Sequence, residues 1–254
     1  MPIDQALNLY KDRRALSKSL PTNAVIAQLK RIETPIKETW IHPADSYIHV
    51  EVTGVEGTAE VSIYTDGSKT EHHVGGGMVA VKISREIHSV TQRLNIECTV
   101  FQAEFRGIGM AVDWILNQRK KTASYAINVD SKAALLAIAN KHSTHRLAVA
   151  TRRKIIELRT TTLITFHWIK GHTGLKWNER ADYLIKTVAS YNPTITYDAL
   201  PVSRGKQLLV DYYTKIWNAT YVNPKRPPTL NHSFLLSFTE CPSLSSQITP
   251  SRNS

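Results

Sequence analysis

Cysteine is nearly missing from this chain. Its only two, Cys98 and Cys241, lie far apart with no metal-type spacing, which argues against a disulfide framework and a cysteine-ligated zinc site. Long apolar runs are missing too: no stretch approaches the roughly eighteen consecutive apolar residues of a membrane-spanning helix. The first residues, MPIDQALNLYKDRR, lack the charged-then-apolar order of a signal peptide. The expectation is a soluble, intracellular chain with no membrane partner, in the nucleus or the cytoplasm. There is no internal repeat, and the composition is that of a globular protein.

What is present is positive charge, unevenly spread. The chain of 254 residues has a net charge of +11. Residues 1–60 carry seven Lys/Arg against eight Asp/Glu, residues 61–190 nineteen against ten, and residues 191–254 six against three. The basic middle segment is the kind that meets a polyanion, most often a phosphate backbone.

Periodicity lays out that segment. Alternation predicts strands at 61–66, 78–83 and 87–94, with Gly75-Gly76-Gly77 leading into the second, so the three form a meander. A helix is predicted over 102–118, with Phe105, Ile108, Val112, Ile115 and Leu116 on one face and Thr99-x-x-Gln102 as a capping box. A strand at 125–130 follows, then a short helix capped by Ser131, a basic helix at 146–159, a strand at 163–169 and a last helix capped by Asn178. This order predicts an α/β fold: a five-stranded mixed sheet, three strands in an antiparallel meander and two more parallel to the first, flanked by helices. Residues 1–60 read as an N-terminal extension, with amphipathic stretches at 6–20 and 23–32 and a proline-punctuated run at 35–43. Residues 61–190 read as the main domain, 191–223 as a linker and helix, and 224–254 as a disordered tail.

The acids are few and well placed. In IYTDGSK a strand pattern stops on Asp66 and is followed at once by Gly67, a common turn dipeptide. Asp130 also ends a predicted strand; if the two strands are parallel neighbours, both carboxylates leave one sheet edge, where ligands of such sheets bind. Glu104 falls in the first turn of one helix, and Asp182 in the second turn of another, four residues before Lys186. Each taken singly is an ordinary surface acid. Taken together, in a basic segment, three or four carboxylates without a His/Cys set are the hard oxygen ligation that Mg²⁺ or Mn²⁺ prefers, and two such ions support an in-line displacement at phosphorus.

The blocks YTDGS, FQAEF, VDSKAAL and WIKGHTGLKWNERADYLIK, in this order, resemble the type 1 ribonuclease H domain. The resemblance covers about half the chain and implies the RNase H-like fold and a metal-dependent endoribonuclease acting on the RNA strand of RNA–DNA hybrids. It carries the metal-binding carboxylates over to Asp66, Glu104, Asp130 and Asp182, and the family's mobile histidine to His172. Gly67, Ser68, Gln102, Ser131 and Lys132 become candidates for substrate contact, Gly67 by letting substrate approach the backbone. Arg152, Arg153, Lys154 and Arg159, with Arg119, Lys120 and Lys121, become candidates for phosphate contact. Trp177 departs from the pattern, standing where the family usually has glycine, and its bulk is expected to shift the His172 loop or the start of the last helix.

VFQAE, DSKAAL and GHTG with a trailing VDYYTKIW further resemble the RNase H domain of insect-type non-LTR retrotransposon polyproteins. That resemblance implies a reverse transcriptase as neighbour, joined through residues 1–60, although no polymerase motif of the YxDD type is present. The other reading is a non-catalytic nucleic-acid-binding remnant of such an element.

Overall fold

The computed structural model describes residues 23–36, 47–118, 124–191 and 194–221. The amphipathic stretch read at 6–20, most of the run at 35–43, the basic triplet Arg119, Lys120 and Lys121, and the tail at 224–254 lie outside them. The chain divides into two compact units. In one, which joins Met1–Lys30 to Ser203–Ser254, the described elements are helix α1 (Asn23–Leu29) and nearly all of α6 (Val202–Tyr221).

The other unit, Arg31–Val202, contains the sheet. Its elements are β1 (Val50–Gly54), β2 (Val61–Lys69), β3 (Val74–Lys82), β4 (Arg85–Leu94), α2 (Val100–Leu116), β5 (Tyr125–Val129), α3 (Lys132–Ala139), α4 (Arg146–Leu158), β6 (Ile164–Ile169), α5 (Lys176–Tyr191) and β7 (Ile195–Tyr197). The strand order is β1-β6-β5-β2-β3-β4-β7. As expected, β2–β3–β4 is an antiparallel meander and β2, β5 and β6 are parallel. The count differs, because the sheet has seven strands and not five. β1 adds in parallel to β6, and β7 in parallel to β4. Both are short and partly exposed, so neither shows the alternation or continuous apolar run that marks a strand in sequence.

The sheet is covered on both faces. The neighbours Gly76 and Gly77 of β3 face opposite ways. A Cβ at Gly76 would lie 2.3 Å from the Ala103 carbonyl oxygen of α2, and one at Gly77 would lie 2.7 Å from the Ile185 side chain of α5. The glycine run therefore belongs to β3 itself and admits a helix on each side. Double coverage also explains why eight of the nine residues of β3 and all five of β5 are buried. On the α2 face Ile63, Phe105, Ile108, Ile127, Leu135 and Ile155 form the main core; on the α5 face Tyr64, Val79, Val81, Ile169 and Ala181 form a smaller one.

One assignment from sequence reverses. Arg152, offered as a phosphate contact, is fully buried. Its guanidinium donates to the carbonyl oxygens of Ile138, Ala137 and Asn140, satisfying the open carbonyls at the end of α3. Lys154 pairs with Asp113, and Arg159 donates to the Tyr47 carbonyl.

Lys82 and Arg85 close the β3–β4 hairpin, so Ile83 and Ser84, at φ 50° and 54°, form a two-residue turn. Both sit in the left-handed region, which a β-branched side chain tolerates poorly, and Ile83 is exposed with nothing to gain from burial. Asn-Gly is the pair that this turn favours. Ile83→Asn with Ser84→Gly is expected to raise the unfolding free energy by about 1–2 kcal/mol in urea titrations; an unchanged midpoint would show that the turn is not strained.

Candidate active site

Three of the expected carboxylates meet. Asp66, Glu104 and Asp130 each bring one oxygen to within 4.8 Å of the others. β2 and β5 pair in parallel as far as Thr65 and Val129, so Asp66 and Asp130 are the next residues on adjacent strands. Asp66 does not end its strand as the sequence suggested: β2 continues to Lys69 against β3, with Asp66 opposite Gly77 and Gly67 opposite Gly76. The Asp-Gly pair makes no turn. What stops at Thr65 is the pairing with β5, whose last residue is Val129.

Glu104 arrives from the other face, and glycine is what lets it. A Cβ at Gly67 would lie 2.3 Å from the Glu104 backbone nitrogen, and one at Gly107 would lie 3.0 Å from the Asp66 carbonyl oxygen. With hydrogens at these positions and at Gly76, α2 lies directly on β2 and β3. Gly67 therefore admits the helix that carries Glu104, where the sequence reading had it admitting substrate. Its N–H donates to Asp66 Oδ1 at 2.7 Å and also favours the charged form of Glu104. Glu104 stands one turn into α2, which starts at Val100, later than the first-turn position read from sequence.

This arrangement is electrostatically costly. Burial raises the Asp66 carboxyl from 3.8 to about 7, with the charges of Asp130 and Asp182 adding to the effect. Burial first, then Asp130 and Asp66, hold Glu104 well above the usual carboxylate range. Asp130 is also raised by burial, against the pull of the Asn178 amide and of His172. Among the described residues, Glu104 Oε2 and Asp130 Oδ1 find no hydrogen-bond partner and are buried. Crowded, hard oxygen donors with open lone pairs fit a divalent cation, and these three residues are the ones that could hold it.

The remaining residues take different places. Asp182, on α5, is outside the three-oxygen cluster; Lys186 donates to its Oδ2 at 2.6 Å, while its charge still reaches Asp66 and Asp130. His172 lies in the loop after β6 at φ 54°, between Gly171 and Gly174. A Cβ at Gly171 would stand 3.1 Å from Asp130 Oδ2, so the loop passes close to the crevice. Ser131 caps α3, and the exposed Lys132 places Nζ 5.2 Å from the centre of the Trp168 ring. Ser68 is half-buried opposite Gly75 on β2. Gln102, expected at the substrate, is 1% exposed: its amide closes the capping box with Thr99 and donates to the Ala199 carbonyl. Trp177 turns inward with Leu175 and Leu184 against the α5-face core.

Two site residues escaped the sequence reading. Asn178 is not the cap of α5, which begins at Lys176; it is buried in the first turn, where it reaches Asp130. Trp168 Nε1 donates to the Asp130 carbonyl at 2.9 Å. A tryptophan in a strand gives no sign of that role; an asparagine two residues inside a helix, where propensity disfavours it, was the available clue for the other.

A model of the RNase H family matches residues 58–190. The chain belongs to the RNase H family. It is 28% identical over 165 residues to a ribonuclease H of Psychromonas ingrahamii, covering 53% of this chain and 94% of that protein. Similar solved structures include the N-terminal RNase H domain of rv2228c from Mycobacterium tuberculosis, a maltose-binding-protein fusion (19% identity, 53% of this chain, 96% of that one, TM-score 0.43). Another is LC11-RNase H1 in complex with an RNA/DNA hybrid (18% identity, 52% of this chain, 97% of that one, TM-score 0.42). All four blocks picked out in the sequence fall inside the RNase H match.

Two measurements test this geometry. Gly67→Ala forces α2 off β2 and is expected to destabilise the chain by about 1–3 kcal/mol in urea titrations; an unchanged midpoint would mean that the close approach of α2 is not essential. The second test is pH. Because Asp66 is raised from 3.8 to about 7, its contribution is fully present below the lower value and lost as pH rises through the upper one. In EDTA, wild-type stability is expected to fall between about pH 4 and pH 7 more steeply than that of Asp66→Asn; parallel curves would contradict the shift.

Proposed function

We propose that the chain is a divalent-metal-dependent endoribonuclease that hydrolyses the RNA strand of RNA–DNA hybrids, leaving 5′-phosphate and 3′-hydroxyl ends. The observation that carries this reading is the convergence of Asp66, Glu104 and Asp130, with two buried oxygens left without partners. Mg²⁺, as two ions, is the proposed cofactor, with Mn²⁺ able to replace it; bound there, it supplies Lewis acidity for attack of water at phosphorus. Asp66, Glu104 and Asp130 would hold the ions, and Asp182, paired with Lys186 on α5, is the fourth proposed ligand. His172, on its loop beside Asp130, takes or gives a proton as product leaves. Ser68, two residues after Asp66, and Ser131 and Lys132, directly after Asp130, are the proposed substrate contacts, and discrimination rests on groove shape and 2′-hydroxyls, with little base preference.

The motif wording supports derivation from a retrotransposon polyprotein, with a reverse transcriptase as the proposed partner.

The test uses end-labelled RNA as a single strand, paired with RNA and paired with DNA, in Mg²⁺ and in EDTA. Cleavage of the hybrid alone, abolished by EDTA and by Asp66→Asn or Asp130→Asn in folded protein, is expected. Full activity in either variant would refute the assignment, and binding without cleavage would identify a non-catalytic remnant.

A further inference from the structure

A second group of buried polar side chains, unused by the reaction above, sits at the first turn of α2. Its centre is Glu33. The Tyr197 hydroxyl donates to Glu33 Oε1, the Gln102 amide reaches the carboxylate, and His145 Nε2 stands 3.6 Å from Oε2. Glu33 is 6% exposed and Gln102 1%.

The backbone around Glu33 forms a clasp. Residues 31–33 form a single parallel bridge with Leu200: Glu33 N–H donates to the Leu200 carbonyl and Leu200 N–H to that of Arg31, both at 2.8 Å. Ile36 N–H continues the line to Thr144, ahead of α4. Asp198 takes Arg31 and the Asn95 amide, and Asn95 N–H donates to Tyr197. Gln102 Nε2 and Cys98 Sγ both donate to the Ala199 carbonyl, at 3.2 and 3.5 Å. Both segments of the clasp lie outside residues 58–190, the extent of the RNase H match, yet they close on the turn that precedes Glu104.

We infer that Glu33 is a positioning residue for Glu104, locking segments from both flanks of the domain onto Gln102 and so fixing where α2 presents its carboxylate. Gln102 and Glu104 are two residues apart on one rigid helix, so a shift of the first displaces the second. The inference rests on the proposed metal-binding role of Glu104.

The experiment measures Mn²⁺ binding to the full chain by calorimetry without nucleic acid, beside hybrid cleavage against Mg²⁺ concentration and hybrid binding in EDTA. Glu33→Ala is expected to weaken Mn²⁺ binding about tenfold and to raise the Mg²⁺ needed for half-maximal cleavage in proportion, with hybrid binding unchanged. Glu33→Gln, which keeps the shape and an acceptor for Tyr197, is expected to restore most of the loss. Tyr197→Phe removes one hydroxyl, is expected to act in the same direction as Glu33→Ala, and decides the matter if Glu33→Ala does not fold. Wild-type Mn²⁺ affinity in a folded Glu33→Ala or Tyr197→Phe chain, whatever its melting temperature, would overturn the inference. A wild-type chain that binds Mn²⁺ but cuts no hybrid would sink the nuclease reading alone.

Discussion

Three carboxylates held within 4.8 Å of one another in a buried crevice are the constraint around which this fold is arranged. Left alone they repel, and each would gain by moving into water. They stay because each is tied to an element that cannot move independently. Asp66 is in mid-strand, Asp130 follows the last paired residue of β5, and Glu104 rides a helix laid directly on two strands. The core between α2 and the sheet supplies the opposing force, since Ile63, Phe105, Ile108 and Ile127 would all be exposed if α2 lifted away. The cost of burying three carboxyls together, with their mutual charge adding to it, therefore falls at a place where a cation could offset it.

Glycine is the second half of that constraint. A methyl group at Gly67 or Gly76 would meet α2 backbone at 2.3 Å, a distance at which the helix must move. Read along the strand, the glycines of β3 look like loop residues. In the structure they are the contact surface for helices on both faces, and conformational freedom has little to do with it, because among the described residues only Gly54 and Gly174 have positive φ for this residue type.

The legible parts of the sequence were those whose signal is local. Helical periodicity placed Phe105, Ile108, Val112 and Ile115 of α2 in the core where the structure has them. The capping box at Thr99 and Gln102 and the Ser131 cap are formed. Paired acids at strand ends pointed to the crevice. Illegible parts depended on distant partners. Arg152 reads as a surface cation in a basic helix, and only the end of α3 above it shows why it is buried. Gln102 reads as exposed because the segment that covers it lies nearly a hundred residues away. β1 and β7 pair only through strands remote in sequence, so nothing in their own residues announces them.

Those remote pairings brace the site from two sides. β1 docks on β6, and a Cβ at Gly54 would lie 3.5 Å from the ring of Trp168, whose Nε1 holds the Asp130 carbonyl. β7 docks on β4, and Tyr197 and Ala199 hold Glu33 and Gln102, next to Glu104. Each flank of the RNase H match thus ends against a residue that fixes one of the three carboxylates, while Asp66, in the central strand β2, is held by the sheet itself. A five-stranded core would leave β6 and β4 as open edges. The additional strands do more than extend the sheet: they cover its β6 and β4 edges with segments that reach Trp168 and Gln102.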